Sequence, residues 1–307
     1  MQEESFEVQY TQEGERLDKV LSEIYPDFSR SFFQKLIKDK QIQVNGAVQK
    51  ASYPVHTEDL IRVIIPDAVE TTIEPENIPL DILYEDDDVL IVNKPKGMVV
   101  HPSAGHYSGT LVNAIMNHCK DSLSGINGQI RPGIVHRIDM DTTGSLIVCK
   151  NDESHVNIAE QIKEHTVNRI YVGIVCGNVT EDEGTIEGAI GRHPVDRKKM
   201  AVNEKNGKPA ITHYKVLERF GNYTYMQFQL ETGRTHQIRV HMASIGHPLL
   251  GDTLYSSGRS PFKHLQGQTL HAKTIGFVHP KSGEYMEFSA PLPEYFDNLL
   301  KLLKSRS

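Results

Sequence analysis

A chain of 307 residues, 38% of them hydrophobic and 24% charged, has the apolar content to bury a sizeable core and the length for two or three domains. No apolar run is long enough to cross a bilayer, and Met1-Gln2-Glu3-Glu4-Ser5 lacks the basic and then apolar regions of a secretory leader, so no membrane association is expected and the predicted compartment is the cytoplasm. A formal net charge of −7 excludes a uniformly basic nucleic-acid binder and leaves a local basic surface as the means of holding a polyanion.

The first predicted elements are short. Leu17, Val20, Leu21 and Ile24 recur at one-face helical spacing after Arg16, with Pro26 beyond the end. Ser29 is placed to cap a second helix whose apolar face is Phe32, Phe33, Leu36 and Ile37. Ile42-x-Val44-Asn45-Gly46 reads as a strand entering a tight turn, and Leu60-Ile61-Arg62-Val63 as another strand. Between positions 16 and 50, seven basic residues (Arg16, Lys19, Arg30, Lys35, Lys38, Lys40, Lys50) meet four acidic ones (Asp18, Glu23, Asp27, Asp39), a net +3 against the acidic whole. Residues 1–66 therefore read as a compact basic unit suited to RNA phosphates, the plainer alternative being solvated helix faces. From 67 to 88 there are nine acidic residues and no Lys or Arg, with prolines at 66, 75 and 79, so 67–80 reads as an acidic linker.

A second domain, 81–307, opens with the apolar run Val89-Leu90-Ile91-Val92 ending in Asn93-Lys94-Pro95-x-Gly97, by itself a β-turn with surface lysines. Gly109-Thr110-Leu111 starts a helix through His118, with Leu111, Val112, Ile115, Met116 and Cys119 on its apolar side. Next comes His136-Arg137-Ile138-Asp139-Met140-Asp141-Thr142-Thr143-Gly144, ionisable side chains set between Gly133-Ile134-Val135 and Leu146-Ile147-Val148. Those β-branched flanks read as buried strands, so the carboxylates sit near a core, where each needs a partner or a task. A polar turn ending at Gly144 is the plain reading. An EF-hand loop fails because Lys150 stands where a bidentate Glu is required. An Asp-nucleophile phosphatase of the haloacid dehalogenase type stays open, with Asp139 attacking phosphorus beside magnesium.

Asn151 to His165 reads as an amphipathic helix through Val156, Ile158, Ala159 and Ile162, followed by a strand from Arg169 to Val175 in which alternation puts Tyr171 with Gly173 and Val175. Arg192, Arg197, Lys198 and Lys199 crowd one loop, which suits a phosphate clamp. In Gly233-Arg234-Thr235-His236-Gln237-Ile238-Arg239-Val240-His241, a helix beginning near Thr235 sets Gln237 and His241 on one face and Arg239 on another. Leu270-His271-Ala272, Phe277-x-His279-Pro280 and a helix from about Pro291 to Leu303 close the chain. The cysteines, Cys119, Cys149 and Cys176, read as buried free thiols. They form no Cys-x-x-Cys pair, the histidines no His-Glu-x-x-His, and no Gly-rich phosphate loop occurs, so neither metal nor cofactor is expected.

Arg-Leu-Asp-Lys-x-Leu, Ser-Arg and Val-Asn-Gly in the head resemble the S4 RNA-binding domain. Asn-Lys-Pro-x-Gly, His-Arg-Ile-Asp with Thr-Thr-Gly, the Tyr171 strand and Gly-Arg-Thr-His-Gln-Ile-Arg follow in the order of the RluA/RluD family of ribosomal RNA pseudouridine synthases, which the chain resembles over nearly its whole length. Asn168, Met140 and Thr143 depart from that pattern, where a lysine, a basic residue and a serine are common. The resemblance implies an α+β pseudouridine synthase fold with a mixed, largely antiparallel central sheet, preceded by a small S4-type domain.

It also implies an isomerase that converts specific uridines to pseudouridine in large-subunit ribosomal RNA, free or in a pre-ribosomal particle, as a monomer. Asp139 would be the catalytic carboxylate, acting by attack on C1′, addition to C6 or proton abstraction at C2′. Arg239 would neutralise it, since burial alone would raise its pKa, and Tyr171 would stack on the uracil. Arg137, His136, Thr143, Leu270, Arg234 and Lys94 would touch the substrate nucleotide. Arg16, Lys19, Arg30, Lys35 and Lys38 in the head would hold RNA, with Arg192, Arg197, Lys198 and Lys199 in the loop. A non-enzymatic S4-type RNA-binding protein is the alternative of another class.

Overall fold

The computed structural model describes residues 2–25, 30–65, 73–102, 106–120, 122–126, 131–196, 198–256, 262 and 265–306. They fall into two compact units, Met1–Thr71 and Thr72–Ser307.

The first unit holds β1 (Gln2–Glu7), α1 (Leu17–Ile24), α2 (Arg30–Lys38), β2 (Ile42–Val44) and β3 (Leu60–Ile65), with the strands in the order β1-β3-β2 and antiparallel throughout. The predicted helix faces form its core: Leu17, Val20 and Leu21 from α1 and Phe33, Leu36 and Ile37 from α2 pack on Ile42, Val44, Ile61 and Val63. The expected Ser29 cap lies outside the described residues. Strand β1 has no counterpart in the sequence reading, because Gln-Glu-Glu-Ser-Phe-Glu shows no apolar alternation; the edge strand is held by its backbone pairing and packs Phe6 against the core.

The second unit comprises β4 (Ile82–Glu85), β5 (Val89–Lys94), α3 (Leu111–Cys119), β6 (Thr143–Cys149), α4 (Asp152–Lys163), β7 (Asn168–Cys176), β8 (Glu183–Glu187), β9 (Ile190–Arg192), β10 (Met200–Val202), β11 (Ile211–Arg219), β12 (Tyr223–Leu230), α5 (Gln237–Ser244), β13 (Leu270–Val278), β14 (Tyr285–Ser289) and α6 (Glu294–Lys304). Its main sheet runs β4-β5-β6-β13-β7-β12-β11-β8, with β14 on β13 and a separate β9-β10 hairpin. Only the β6-β13 pairing is parallel, so the α+β, mixed and largely antiparallel expectation is met. Strand β6 is buried along its full length because both sheet faces are covered. Leu146 and Val148 belong to one apolar cluster, Ile147 and Cys149 to another.

Three local expectations are corrected. Gly133-Ile134-Val135 is no strand; Pro132 and the positive φ of Gly133 leave a single bridge from Ile134 to Val148. Gly144 does not end a turn but pairs within β6 against Ala272 at φ 110°, where a side chain would run into the Ala272 backbone. The acidic linker is not free from residue 73 onward: Ile73 is buried in the core of the second unit, Glu76 accepts from Gly109 N, and Asn113 donates to the Glu74 carbonyl. The compact unit therefore begins near 72 and not at 81.

On α4 the buried residues are Ser154, His155 and Ile158, while Val156 is exposed. Cys119 and Cys149 are buried and Cys176 only partly so. Among the described residues no helix is long and apolar enough to cross a membrane.

Candidate active site

The loop between Ile134 and β6 carries Asp139, whose side chain keeps 19% of its surface. Helix α5 supplies Arg239, on the face away from Gln237 and His241 as its spacing predicts; those two bond instead to Thr212 on β11. The Arg239 guanidinium donates through Nη1 to Asp139 Oδ2 at 2.9 Å, and through Nε and Nη2 to the two Asp252 oxygens at 2.7 and 3.0 Å. Burial works against this cation, but the hydrogen bonds and charges of Asp252 and Asp139 overcome it and raise it above the ordinary arginine value. A permanently charged donor is thus fixed from behind by a buried carboxylate and presented to Asp139.

Asp139 opens on a cavity of about 810 Å³. Tyr171, Leu230, Ile238 and Leu270 form its apolar wall, while Arg131, Arg137, Arg169, Arg234 and Lys163 provide positive charge. Tyr171 is 8% exposed and, as alternation requires, shares the core cluster of Val175. Burial pushes its phenol above the ordinary value, with Arg169 pulling it back and Asp139 adding to the rise, so the hydroxyl is protonated at neutral pH. His136 lines the cavity and accepts the Ile147 N–H through Nε2 at 3.0 Å; burial and Arg169 push it down to about 3, so it is neutral. Arg137 reaches His101 Nε2 at 3.3 Å, and Arg234 Nε donates to the Pro209 carbonyl at 3.0 Å.

Two expected substrate contacts are corrected. Lys94 is fully buried, with Nζ donating to the carbonyls of Pro95, Met98 and Met140 at 2.8–2.9 Å. Burial pushes this ammonium down to about 7, against the pull of Asp141 and Asp139. It ties the Asn-Lys-Pro turn to the carbonyl next to Asp139 and does not reach the cavity. Lys94→Met is expected to lower folding stability by roughly 2–4 kcal/mol while leaving the RNA affinity of folded protein unchanged. Urea unfolding beside an RNA titration reads this, and a stable variant with weakened binding would return Lys94 to the substrate. Thr143 is also buried, its hydroxyl paired with His271 Nδ1 at 2.8 Å; its neighbour Thr142 lines the cavity.

The phosphatase reading finds no support. The Asp141 carboxylate packs against Gly267 outside the cavity lining, so it is not the second carboxylate of a magnesium site. Among the described residues, ligand atoms gather at Asp86, Asp88 and His279, where Asp86 already accepts from Tyr84 Oη, from His279 and from the backbone N–H groups of Asp88 and Val89.

The predicted RNA contacts divide. Arg16 and Arg30 are first the counter-ions of Asp18, which is fully buried. Burial pushes that carboxyl up, and hydrogen bonds from Arg16, Arg30 and Gln34 hold it well below the usual range. Lys19 pairs with Glu15 at 2.6 Å. Lys35 and Lys38 are exposed on α2 with no ion pair among the described residues. Arg192 and Lys198 are exposed and Lys199 half-buried on the β9-β10 hairpin, while Arg197 lies outside the described residues.

Sequence reasoning missed Asp252, Tyr255, His236 and Arg169. Asp252 and Tyr255 stand alone after a Gly-rich turn, and only folding brings them to Arg239, whose guanidinium lies 5.1 Å from the Tyr255 ring centre. Arg169 had a signal, a charge at the start of an apolar strand. It is 6% exposed, donates to the Glu231 carbonyl at 3.0 Å, and its buried Nε has no partner among the described residues.

Residues 88–244 match the model of the RNA pseudouridylate synthase family and residues 15–61 that of the S4 domain. An uncharacterized RNA pseudouridine synthase of Bacillus subtilis is 50% identical over 293 residues, covering 95% of this chain and 95% of its own length. The ribosomal large subunit pseudouridine synthase D of Pseudomonas aeruginosa is 43% identical over 310 residues, covering 97% and 95%. Among solved structures, human RNA pseudouridylate synthase domain containing 1 superposes with a TM-score of 0.57 at 25% identity, over 79% of this chain and 98% of that one.

Proposed function

This chain belongs to the RNA pseudouridylate synthase family, and we propose that it isomerises uridines of large-subunit ribosomal RNA, acting as a monomer in the cytoplasm, with Asp139 as its catalytic carboxylate. The observation that carries the site assignment is the Asp139–Arg239–Asp252 array at a cavity with one apolar wall and a cationic rim. The large-subunit substrate rests on the relatives that bear that name.

The chemistry breaks the N1–C1′ bond of uridine, joins C5 to C1′, and moves a proton from C5 to solvent while N1 gains one, so no electrons are exchanged. A paired uridine must first leave its helix. Tyr171 and Leu270 then bound the uracil, and Arg137, Arg169 and Arg234 along the cavity lining meet its phosphates. The purified chain incubated with large-subunit RNA carrying tritium at uridine C5 should release tritium to water. No release from any large-subunit fragment, with release from another RNA, would overturn the substrate.

Tyr171 contributes through its ring and through its hydroxyl. With the ring against the uracil, the hydroxyl would assist proton removal at C5. Tyr171→Phe should bind RNA as the parent does and turn over at least about a hundredfold more slowly, whereas Tyr171→Leu should also weaken productive binding by about 1–3 kcal/mol through lost stacking. Single-turnover rates beside melting curves decide it, and a fully active Tyr171→Phe would remove the hydroxyl from the chemistry.

In the head, Lys35 and Lys38 carry the phosphate contacts. Replacing both by Glu should flatten the slope of log affinity against log salt by about 1.5, as two phosphate contacts are lost. An unchanged slope in a salt titration would make them solvated surface.

A further inference from the structure

The catalytic carboxylate has a second neighbour that the reaction scheme above does not use. His236 Nε2 stands 3.9 Å from Asp139 Oδ1, the oxygen that Arg239 does not take, and the His236 side chain is 21% exposed at the cavity wall. Its other ring nitrogen, Nδ1, lies 2.8 Å from Tyr255 Oη. That phenol oxygen also accepts the Met200 backbone N–H at 2.9 Å, from the first residue of β10.

These contacts select one tautomer from both ends. If His236 carried its proton on Nδ1, the Tyr255 oxygen would accept twice and its own proton would lack the His236 acceptor, while a bare Nε2 lone pair would face the Asp139 carboxylate. With Tyr255 Oη–H donating to Nδ1, the proton sits on Nε2 and points at the carboxylate. Tyr255 is itself held by its backbone N–H on Asp252 Oδ1 at 3.2 Å and by the Arg239 guanidinium over its ring. The His236 backbone is left-handed, φ 58°, at the N-cap of α5, with no side-chain capping bond. A strained non-glycine residue there is held by its surroundings and not by its own preference.

Resting on Asp139 as the reactive carboxylate, we infer that His236 is a positioning residue that offers a second N–H to Asp139 Oδ1, aimed by the relay Met200 N–H to Tyr255 Oη–H to His236 Nδ1. Arg239 and His236 then face different oxygens of one carboxylate, Arg239 through a hydrogen bond at 2.9 Å and His236 across 3.9 Å, a gap that closes when the carboxylate engages substrate. The relay begins on the hairpin that carries Arg192, Lys198 and Lys199.

The full-length enzyme is tested in single turnover on its large-subunit RNA, beside an RNA titration and NMR of the imidazole ring nitrogens. His236→Gln keeps an N–H close to the Nε2 position and should stay within about threefold of the parent rate, whereas His236→Leu should lose about tenfold or more, both with RNA affinity within about twofold. Tyr255→Phe should lose about tenfold in rate and leave His236 Nδ1 without its phenol donor, which shifts that ring nitrogen's signal toward a free acceptor. Equal losses for Gln and Leu, or a parent-like Nδ1 signal and rate in Tyr255→Phe, would overturn the relay. An active Asp139→Asn would instead remove the reading on which it rests, and the tautomer measurement is independent of that outcome.

Discussion

Asp139→Asn is expected to lower the single-turnover rate of uridine isomerisation by at least about a thousandfold while RNA affinity stays within about threefold. The substitution is isosteric and leaves Oδ1 as an acceptor for Arg239, and Arg239 keeps both of its bonds to Asp252, so the loop should hold its shape. What disappears is the anionic oxygen pair that can attack carbon or take a proton, and neither amide atom replaces it. The change in melting temperature should be small, because Asp139 is partly exposed and, among the described residues, its carboxylate accepts a hydrogen bond from Arg239 alone. Rate, affinity and melting curve together separate loss of chemistry from loss of fold. An Asp139→Asn enzyme within tenfold of the parent would place the reacting group elsewhere.

Arg239→Leu should act on fold and chemistry together. Asp252 is 1% exposed and has the Arg239 guanidinium as its counter-ion, and removing it leaves a buried charge with, among the described residues, the Leu254 and Tyr255 N–H groups as its remaining donors. Breaking such a pair from one side is expected to cost about 3–5 kcal/mol of folding stability. Activity should fall with it, since Asp139 loses the guanidinium that holds its Oδ2 at 2.9 Å. The double variant Arg239→Leu with Asp252→Leu separates the two effects: stability should recover in large part, because two apolar side chains replace the pair, while activity should not. Denaturant unfolding and single-turnover rates on the three proteins read this, and recovery of activity in the double variant would show that Arg239 serves only the fold.

The two helices of the head, the apolar strands β5, β6 and β7 of the second unit and the meeting of Arg239 with Asp139 were legible in the sequence, for reasons that differ. Helix α5 gave Arg239 its own face by spacing alone, but its partner 100 residues away came from resemblance, since periodicity carries no information across strands. Lys94 was misread because a lysine beside Pro-x-Gly looks like a surface turn, and nothing local reveals that the carbonyls of residues 95, 98 and 140 converge on its ammonium. Thr143 and Thr142 differ by one step, and that step decides which faces the cavity and which bonds His271 inside the sheet. Asp252 and Tyr255 left no pattern, because their role exists only once α5 and the turn before β13 are packed. The acidic run after residue 72 reads as a linker by charge, yet Ile73 anchors it in the core.

The most direct measurement is a pseudouridine map of large-subunit ribosomal RNA from cells lacking this chain, and from the same cells given back the parent protein or Asp139→Asn. The expected result is loss of pseudouridine at particular uridines, restored by the parent and not by Asp139→Asn. An unchanged map in the deficient cells, or full restoration by Asp139→Asn, would contradict it.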